Sequence, residues 1–528
     1  MNRPVEQVRN RLPQRARELA GNAARRLRDA FPGRGTLKVE APFTGEAIGE
    51  IPIAIAEDVA AAIARARRAQ AEWAARPLLQ RAAALLRFHD LVLDHRDEIL
   101  DLMQIETGKA RRDAVEEIVD IAITARYYAY HGPRLLRPRR RRGLIPLLTR
   151  VTELRHPIGV VGIIAPWNYP LTLAVGDALP ALLAGNAIVL KPAEATSLTA
   201  SFAVDLLMRS GLPAGLVEIV SGRGELTGAA LVEAADAICF SGSTAVGRQI
   251  AARAGARLVH ASLELGGKNP MIVLADADFE RTIDGAVRAA FTNAGQLCIA
   301  IERLYVEAAL YDRFLDAFAA RTRALKIAAD FSYDTEIGSL IGAEQLAKVV
   351  AHVDDARAKG ARVVVGGRAR ADLGPYFYEP TILTGVKPGM LACNEETFGP
   401  VVAVASFQNV EEAIRLANAS EYGLSASIWS RDSARAHAIA ARLNTGTVNI
   451  NEAYSAAWSA VDAPMGGMKA SGLGRRHGRE GLYRFTESQT VAEQRLLPLT
   501  ALPGQPFAQF VRMMTAALRL IRRIPGLR

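Results

Sequence analysis

The sequence predicts an α/β protein built around a parallel sheet, with a second α/β lobe following it. Three observations carry this. Gly159-Val-Val-Gly-Ile-Ile-Ala and Ala187-Ile-Val-Leu are continuous apolar runs of strand length, as in strands buried on both faces. A helical stretch from Pro170 to about Leu183, closed by Gly185-Asn186, joins them as a βαβ unit. Residues 270–446 then repeat an alternation of helices and short strands. The chain has 528 residues, half of them hydrophobic (50%), enough for large cores and for roughly three to four domains.

In chain order, residues 1–35 read as a basic, helix-prone extension, peripheral to the rest. No continuous apolar segment marks Met1 to Pro32 as a signal peptide. From Glu57 to about Tyr130, apolar residues recur at helical spacing. Arg134 to Leu154 breaks that pattern, and Leu144–Leu154 suits an extended edge hairpin. The weakly charged span Pro157–Leu190 has the length of a membrane helix, but Pro166, Pro170, Pro180 and Gly185 divide it. A third strand, Ala237-Ile-Cys-Phe, leads into Ser241-Gly242-Ser243 and a helix start, which suits a phosphate or is a plain glycine turn. Gly446 to Asn451 reads as a strand, and Pro464–Gly472 as a glycine-rich loop.

The net charge of +10 is clumped in the first 35 residues, in Arg137 and Arg139–Arg142, and in an acid-free stretch after Glu493. None of these runs interleaves aromatics, which argues against single-strand nucleic-acid binding. There are 3 cysteines, Cys239, Cys298 and Cys393. So sparse and odd a set points to a reducing compartment rather than a disulfide framework, and a cytoplasmic location is expected. In the tail, Phe510, Met514, Ala517 and Ile521 share one helical face, with Arg512, Arg519 and Arg523 opposite. Such a helix lies on an anionic membrane surface or docks on the protein or its neighbour.

The chemistry centres on Phe291-Thr292-Asn293-Ala294-Gly295-Gln296-Leu297-Cys298. A lone cysteine is more often a structural core residue than a nucleophile, and further stretches weigh against that default. Leu263-Glu264-Leu265-Gly266-Gly267-Lys268 sets an acid between leucines beside a tight turn; Glu264 is a structural ion-pair member or a tuned general base. Pro166-Trp167-Asn168-Tyr169-Pro170 and Lys191-Pro192-Ala193-Glu194 follow strands whose carboxyl ends are the usual ligand side of such a sheet. Glu396-Thr397-Phe398-Gly399-Pro400 places an acid and an aromatic on a turn.

Taken in order, these motifs resemble the aldehyde dehydrogenase superfamily over about residues 40–490, and most closely its bacterial type-2 succinate-semialdehyde dehydrogenase group. The resemblance implies a Rossmann-type cofactor domain (36–136 and 154–263), a catalytic domain (264–470), an oligomerisation β-extension (137–153 and 484–495) giving a homodimer or homotetramer, and a tail (496–528). It implies that Cys298 attacks the aldehyde carbon, that the Asn168 amide and the Cys298 N–H hold the oxyanion, and that Glu264 activates the hydrolytic water. Trp167, Lys191 and Glu194 would hold the adenosine ribose, Gly242 and Ser243 the pyrophosphate, and Glu396 and Phe398 the nicotinamide ribose and ring, with Leu265 also at the cofactor. No metal is implied.

Two departures bear on specificity. Glu194 stands where the semialdehyde group often has serine; a carboxylate suits the 2′-hydroxyl of NAD and repels the 2′-phosphate of NADP, so NAD is preferred over NADP. Gly176 and Thr292 stand where semialdehyde-oxidising relatives commonly carry arginines. A wide, neutral entrance and a larger or apolar aldehyde are therefore expected, with succinate semialdehyde as the alternative if an arginine from elsewhere compensates. The rival classes are a catalytically silent binding relative, against which Cys298 and Glu264 both stand, and a nucleic-acid binder motivated by charge alone.

Overall fold

A computed structural model describes residues 12–143, 148–495 and 498–523. Helix α1 (Gln14–Ala30) buries Ala16, Ala20, Ala23, Ala24 and Leu27 on one face. It packs on the antiparallel hairpin of β1 (Thr36–Ala41) and β2 (Glu46–Pro52) and on the helix Ser197–Arg209. The approach is close: a Cβ on Gly49 would lie 2.9 Å from Ala24 Cβ. The expected peripheral extension is thus part of the core. Alanines let the backbones meet, while the arginines face out and pair with acids, Arg15 with Asp101 at 2.6 Å and Arg17 with Glu46 at 3.3 Å.

Four helices follow, α2 (Ala56–Ala75), α3 (Leu78–Asp94), α4 (Arg96–Thr107) and α5 (Arg111–Leu136). Helix α4 ends at Gly108, whose φ of 71° and lack of a Cβ are both required, since a Cβ would fall 2.0 Å from Ser339 Oγ. Helix α5 runs past the expected end near Tyr130 and carries Pro133 in its last turns. Strands β3 (Arg139–Arg141) and β4 (Thr149–Pro157) pair antiparallel. The hairpin expected at Leu144–Leu154 is therefore wider than that span, and residues 144–147 lie outside the described residues.

Strands β5 (Val160–Ile164), β6 (Ala187–Lys191), β7 (Val217–Ile219), β8 (Ala237–Ser241) and β9 (His260–Glu264) are parallel. Between β5 and β6 the single expected helix is two, Thr172–Val175 and Ala178–Ala184. Pro180 lacks the N–H that would reach the Gly176 carbonyl, so the ladder breaks there. The second sheet comprises β10 (Asn269–Val273), β11 (Ile301–Glu307), β12 (Arg362–Val365), β13 (Thr381–Thr384), β14 (Val401–Phe407), β15 (Ser425–Trp429) and β16 (Thr447–Ile450), in the order β12-β13-β14-β11-β10-β15-β16. Its pairs are parallel except β12 with β13. Strand β17 (Gly472–Leu473) returns to the first sheet and pairs antiparallel with β9, giving the order β17-β9-β8-β5-β6-β7. Strand order therefore reverses between β5 and β8, and ligands of open α/β sheets bind outside such a switch point.

Strand β18 (Thr486–Gln494) joins β4 and β3 in a three-stranded sheet, which with the C-terminal segment forms a second unit. In that unit the helix Phe507–Ile521 has no buried residue; Phe507, Val511, Met513, Leu518 and Leu520 are exposed, whereas the expected apolar face of Phe510, Met514, Ala517 and Ile521 is half-covered.

Candidate active site

The helix Phe279–Phe291 delivers the cysteine loop. Asn293, Ala294 and Gly295 are all left-handed, at φ of 53°, 52° and 71°, a strained turn of the kind that needs strong support. The support is a dense set of hydrogen bonds. Asn293 N–H donates to Asp113 Oδ2 (2.9 Å), Asn293 Nδ2 to the Asn168 carbonyl (3.2 Å), and Ile341 N–H to Gln296 Oε1 (2.9 Å). Gly295 meets the next loop so closely that a Cβ would sit 2.0 Å from the Gly399 carbonyl oxygen. The turn presents Cys298 half-buried and free. Burial, then the Glu396 and Glu264 carboxyls, push its thiol up to about 12, so it rests protonated and needs a base to become a nucleophile.

Asn168 follows β5. Its carbonyl accepts from Lys109 Nζ (2.7 Å), which is itself buried and paired with Glu117 (2.6 Å). Its Nδ2 donates to the Gln296 carbonyl (3.1 Å), leaving a second N–H. Glu264 ends β9 opposite Gly472. Its Oε1 is closed off from water and has no hydrogen-bond partner. Burial raises its carboxyl to about 7, against the pull of Arg476 and Arg484. Those arginines share Asp177 Oδ1, at 2.9 Å and 2.6 Å.

A cavity of about 220 Å³ carries Trp167, Asn168, Gly242, Ser243, Glu264, Leu265, Cys298, Glu396 and Phe398 on its wall. Glu396 accepts from Gly267 N–H (2.8 Å), and burial, then Glu302, raise it to about 7. A Cβ on Gly266 would fall 2.7 Å from Glu396 Oε2. Phe398 (φ 55°) meets Trp167 edge-on at 5.4 Å. Ser243 caps the helix Thr244–Arg257 by accepting from Val246 N–H, so a helix N-terminus opens on the cavity. A polar helix start, aromatic and aliphatic walls and a carboxylate fit a dinucleotide. Lys191 and Glu194 are not on this wall. Lys191 is the last residue of β6 and is bonded to Glu194 just beyond it (3.0 Å), and Glu194 also accepts from Gly224 N–H (2.8 Å).

On the far side of Cys298 an inner hollow of about 40 Å³ is walled by Tyr169, Leu173, Leu297, Ile299, Tyr454, Trp458 and Met465, with Glu116 and Arg476. Gly176 and Thr292 are not on its wall, and the neutral surroundings expected of them are not found. Arg476 Nη2 fills the space over Gly176, 3.2 Å from where a Cβ would stand. Thr292 lines an outer hollow of about 460 Å³ that is strongly charged, with Arg112, Arg288 and Arg321 among four acids. Arg288, Glu116 and Arg476 were missed by sequence reasoning. The spacing of Arg288, one helical turn before Thr292, is the one signal that could have found it.

A crevice at a switch point, beside a cysteine with an acid and an amide, suits dehydrogenase chemistry, and the family and relatives that follow make the protein an oxidoreductase acting on aldehydes with NAD or NADP. The profile of the aldehyde dehydrogenase family matches residues 31–491, and the chain belongs to that family. A protein of Mycolicibacterium smegmatis named "Putative succinate-semialdehyde dehydrogenase, NADP(+)" is 49% identical over 493 residues, 93% of this chain and 95% of that one. Among solved structures, an E. coli NADP-dependent enzyme superposes with a TM-score of 0.84 at 36% identity, over 87% of this chain and 95% of that one. Betaine aldehyde dehydrogenase from Staphylococcus aureus, in complex with NAD+, gives 0.83 at 34%, over 87% and 92%. Among the described residues no helix is long and apolar enough to cross a membrane.

Proposed function

We propose that the protein oxidises a short aldehyde bearing a distal carboxylate to the corresponding acid, with Cys298 as nucleophile and Glu264 as the base for both thiol and water. The carrying observation is the meeting of Cys298, the Glu264 carboxyl with its partnerless Oε1, and the Asn168 amide on one cavity wall. Glu264 takes the Cys298 proton, and the thiolate adds to the carbonyl. The second Asn168 N–H and the Cys298 backbone N–H hold the oxyanion in this reading. The nicotinamide, when bound between Trp167, Leu265, Glu396 and Phe398, supplies the hydride acceptor. Glu264, once it has passed the thiol proton to solvent, takes a proton from water, the hydroxide adds to the acyl carbon, and the Cys298 thiolate leaves.

The carboxylate is supported by the relative's name and by the small, charged inner hollow. A second reading, a larger apolar aldehyde, is favoured by the Tyr169, Tyr454 and Trp458 walls. Cys298→Ala should abolish turnover, whereas Glu264→Gln should keep a burst of NADH equal to the enzyme present but reach it more slowly, because the thiol has lost its base. Full steady-state turnover in Glu264→Gln would remove that residue from deacylation.

NAD rather than NADP is supported by Glu194, although the relative's name carries NADP(+); Glu194→Ser should narrow the NAD/NADP ratio in kcat/KM. Assembly as a homodimer or homotetramer through β3, β4 and β18 is supported by the three-stranded sheet standing as a unit of its own. A cytoplasmic location with a membrane-surface contact is the reading of the acid-free tail. Co-sedimentation with anionic vesicles, compared with a chain ending at Leu502, tests it. Equal sedimentation of the two forms, or none by either, leaves the tail as a packing element.

A further inference from the structure

Cys298 lies on the wall of the inner hollow, and Arg288 on the wall of the outer one. The outer wall also carries Thr292 and Glu116, and Glu116 lies on the wall of both hollows. Thr292 Oγ1 donates back to the Arg288 carbonyl (2.9 Å). Thr292 is thus one turn from Arg288 on a shared face. The guanidinium sits 5.1 Å from the Tyr454 ring centre, and Tyr454 is itself on the inner wall. A ligand reaching outward from Cys298 past Tyr454 therefore arrives at Glu116 and Arg288.

The present partners of that guanidinium leave it open to exchange. Nη1 pairs with Glu452 (3.1 Å) on the solvent side, and Nη2 bonds Ser455 Oγ. Glu116 is a loose counterion at 3.6 Å. One Glu116 oxygen accepts from Tyr454 OH (2.8 Å), and the other is buried with no partner. The Arg288 side chain is 44% exposed, so part of its donor fork faces the outer hollow. A planar guanidinium binds a carboxylate best through two parallel N–H bonds, and the 3.6 Å contact with Glu116 is not one. Burial raises the Glu116 carboxyl above its ordinary range.

We infer that Arg288 is the specificity-determining residue, receiving the distal carboxylate of a short aldehyde whose carbonyl is at Cys298. The inference rests on the carboxylate-aldehyde reading above and deepens it. It supplies, from one helical turn earlier, the cation that Thr292 does not provide. The ligand class is an aldehyde with a terminal carboxylate a few carbons away, short enough for the inner hollow.

The test measures kcat/KM for succinic semialdehyde, butanal and 4-aminobutanal on the wild type, Arg288→Gln, Arg288→Lys and Glu116→Gln. A hydrogen-bonded charge pair contributes enough that Arg288→Gln should lower the acid's kcat/KM by about 30- to 100-fold, mostly through KM, with a far smaller change on butanal. Arg288→Lys should recover part of the loss. Glu116→Gln should hold or improve the acid, since a competing anion is gone. Equal losses on acid and butanal in Arg288→Gln overturn the role of Arg288 while leaving the carboxylate reading standing. A wild type that prefers butanal overturns the carboxylate reading and the inference with it. A wild type that prefers 4-aminobutanal, with that preference lost in Glu116→Gln, makes Glu116 the recognition group and overturns the inference as well.

Discussion

Glu264 holds its proton to about pH 7 because burial disfavours the carboxylate, and the proposed mechanism needs it deprotonated for thiol and water alike. Turnover should therefore rise as pH passes through about 7. Arg476 favours the carboxylate across the same cavity; Asp177, Arg484 and Arg475 are the other charges acting on it. Arg476→Gln should move the acidic limb of the pH–rate profile to higher pH, and Arg476→Lys should bring it back. An unmoved limb would leave Arg476 as packing for Asp177. Much of this site was legible in the sequence. Cys298, Glu264, Asn168 and Glu396 sit in short runs whose glycines and amides announce a close backbone approach. Arg288, Glu116 and Arg476 were not legible, since each is an ordinary charge on a helix or loop until folding brings distant segments to one cavity.

At the scale of elements, the two loops that meet at Gly295 and Gly399 make a sharp prediction. Gly295→Ala sets a Cβ 2.0 Å from the Gly399 oxygen at φ 71°, so both loops must shift. It should cost about 3 kcal/mol or more and most of the turnover. Gly389→Ala, at φ 92° with nothing within 4 Å, should cost about 1 kcal/mol of backbone strain with activity nearly intact. Thermal melts with activity assays compare the two. Element by element, the βαβ core was readable because an unbroken apolar run of strand length, fenced by glycine and proline, suits a strand covered on both faces and little else. The split at Gly176 was not read, because one missing N–H at Pro180 is invisible to periodicity. Helix α1 was misread because its buried face is alanine, which weighs little on any apolar pattern, while its outer face is crowded with arginine.

For the whole molecule, Glu106, Asp113, Asp120, Glu264 and Glu396 are all raised to about 7 by burial. A carboxyl whose folded pKa is raised contributes stability below its unfolded pKa and loses it as pH climbs through the folded value. Asp177 and Glu302 are lowered by their cations, and what they contribute is lost only toward acid. Melting temperature should therefore fall between about pH 5 and pH 8; a rise over that range would refute the assignment. Removing residues 1–31 should also destabilise the fold, since Leu12 and Leu27 are both buried at about 2 kcal/mol each. The alanine face of α1 carries one more consequence. Because Ala24 meets β2 where Gly49 leaves no room for a methyl group, the slot is a size-selective lock. A separate peptide of residues 12–31 should rebind to the shortened chain in trans and restore its melting point, and the same peptide with Ala24→Leu should not.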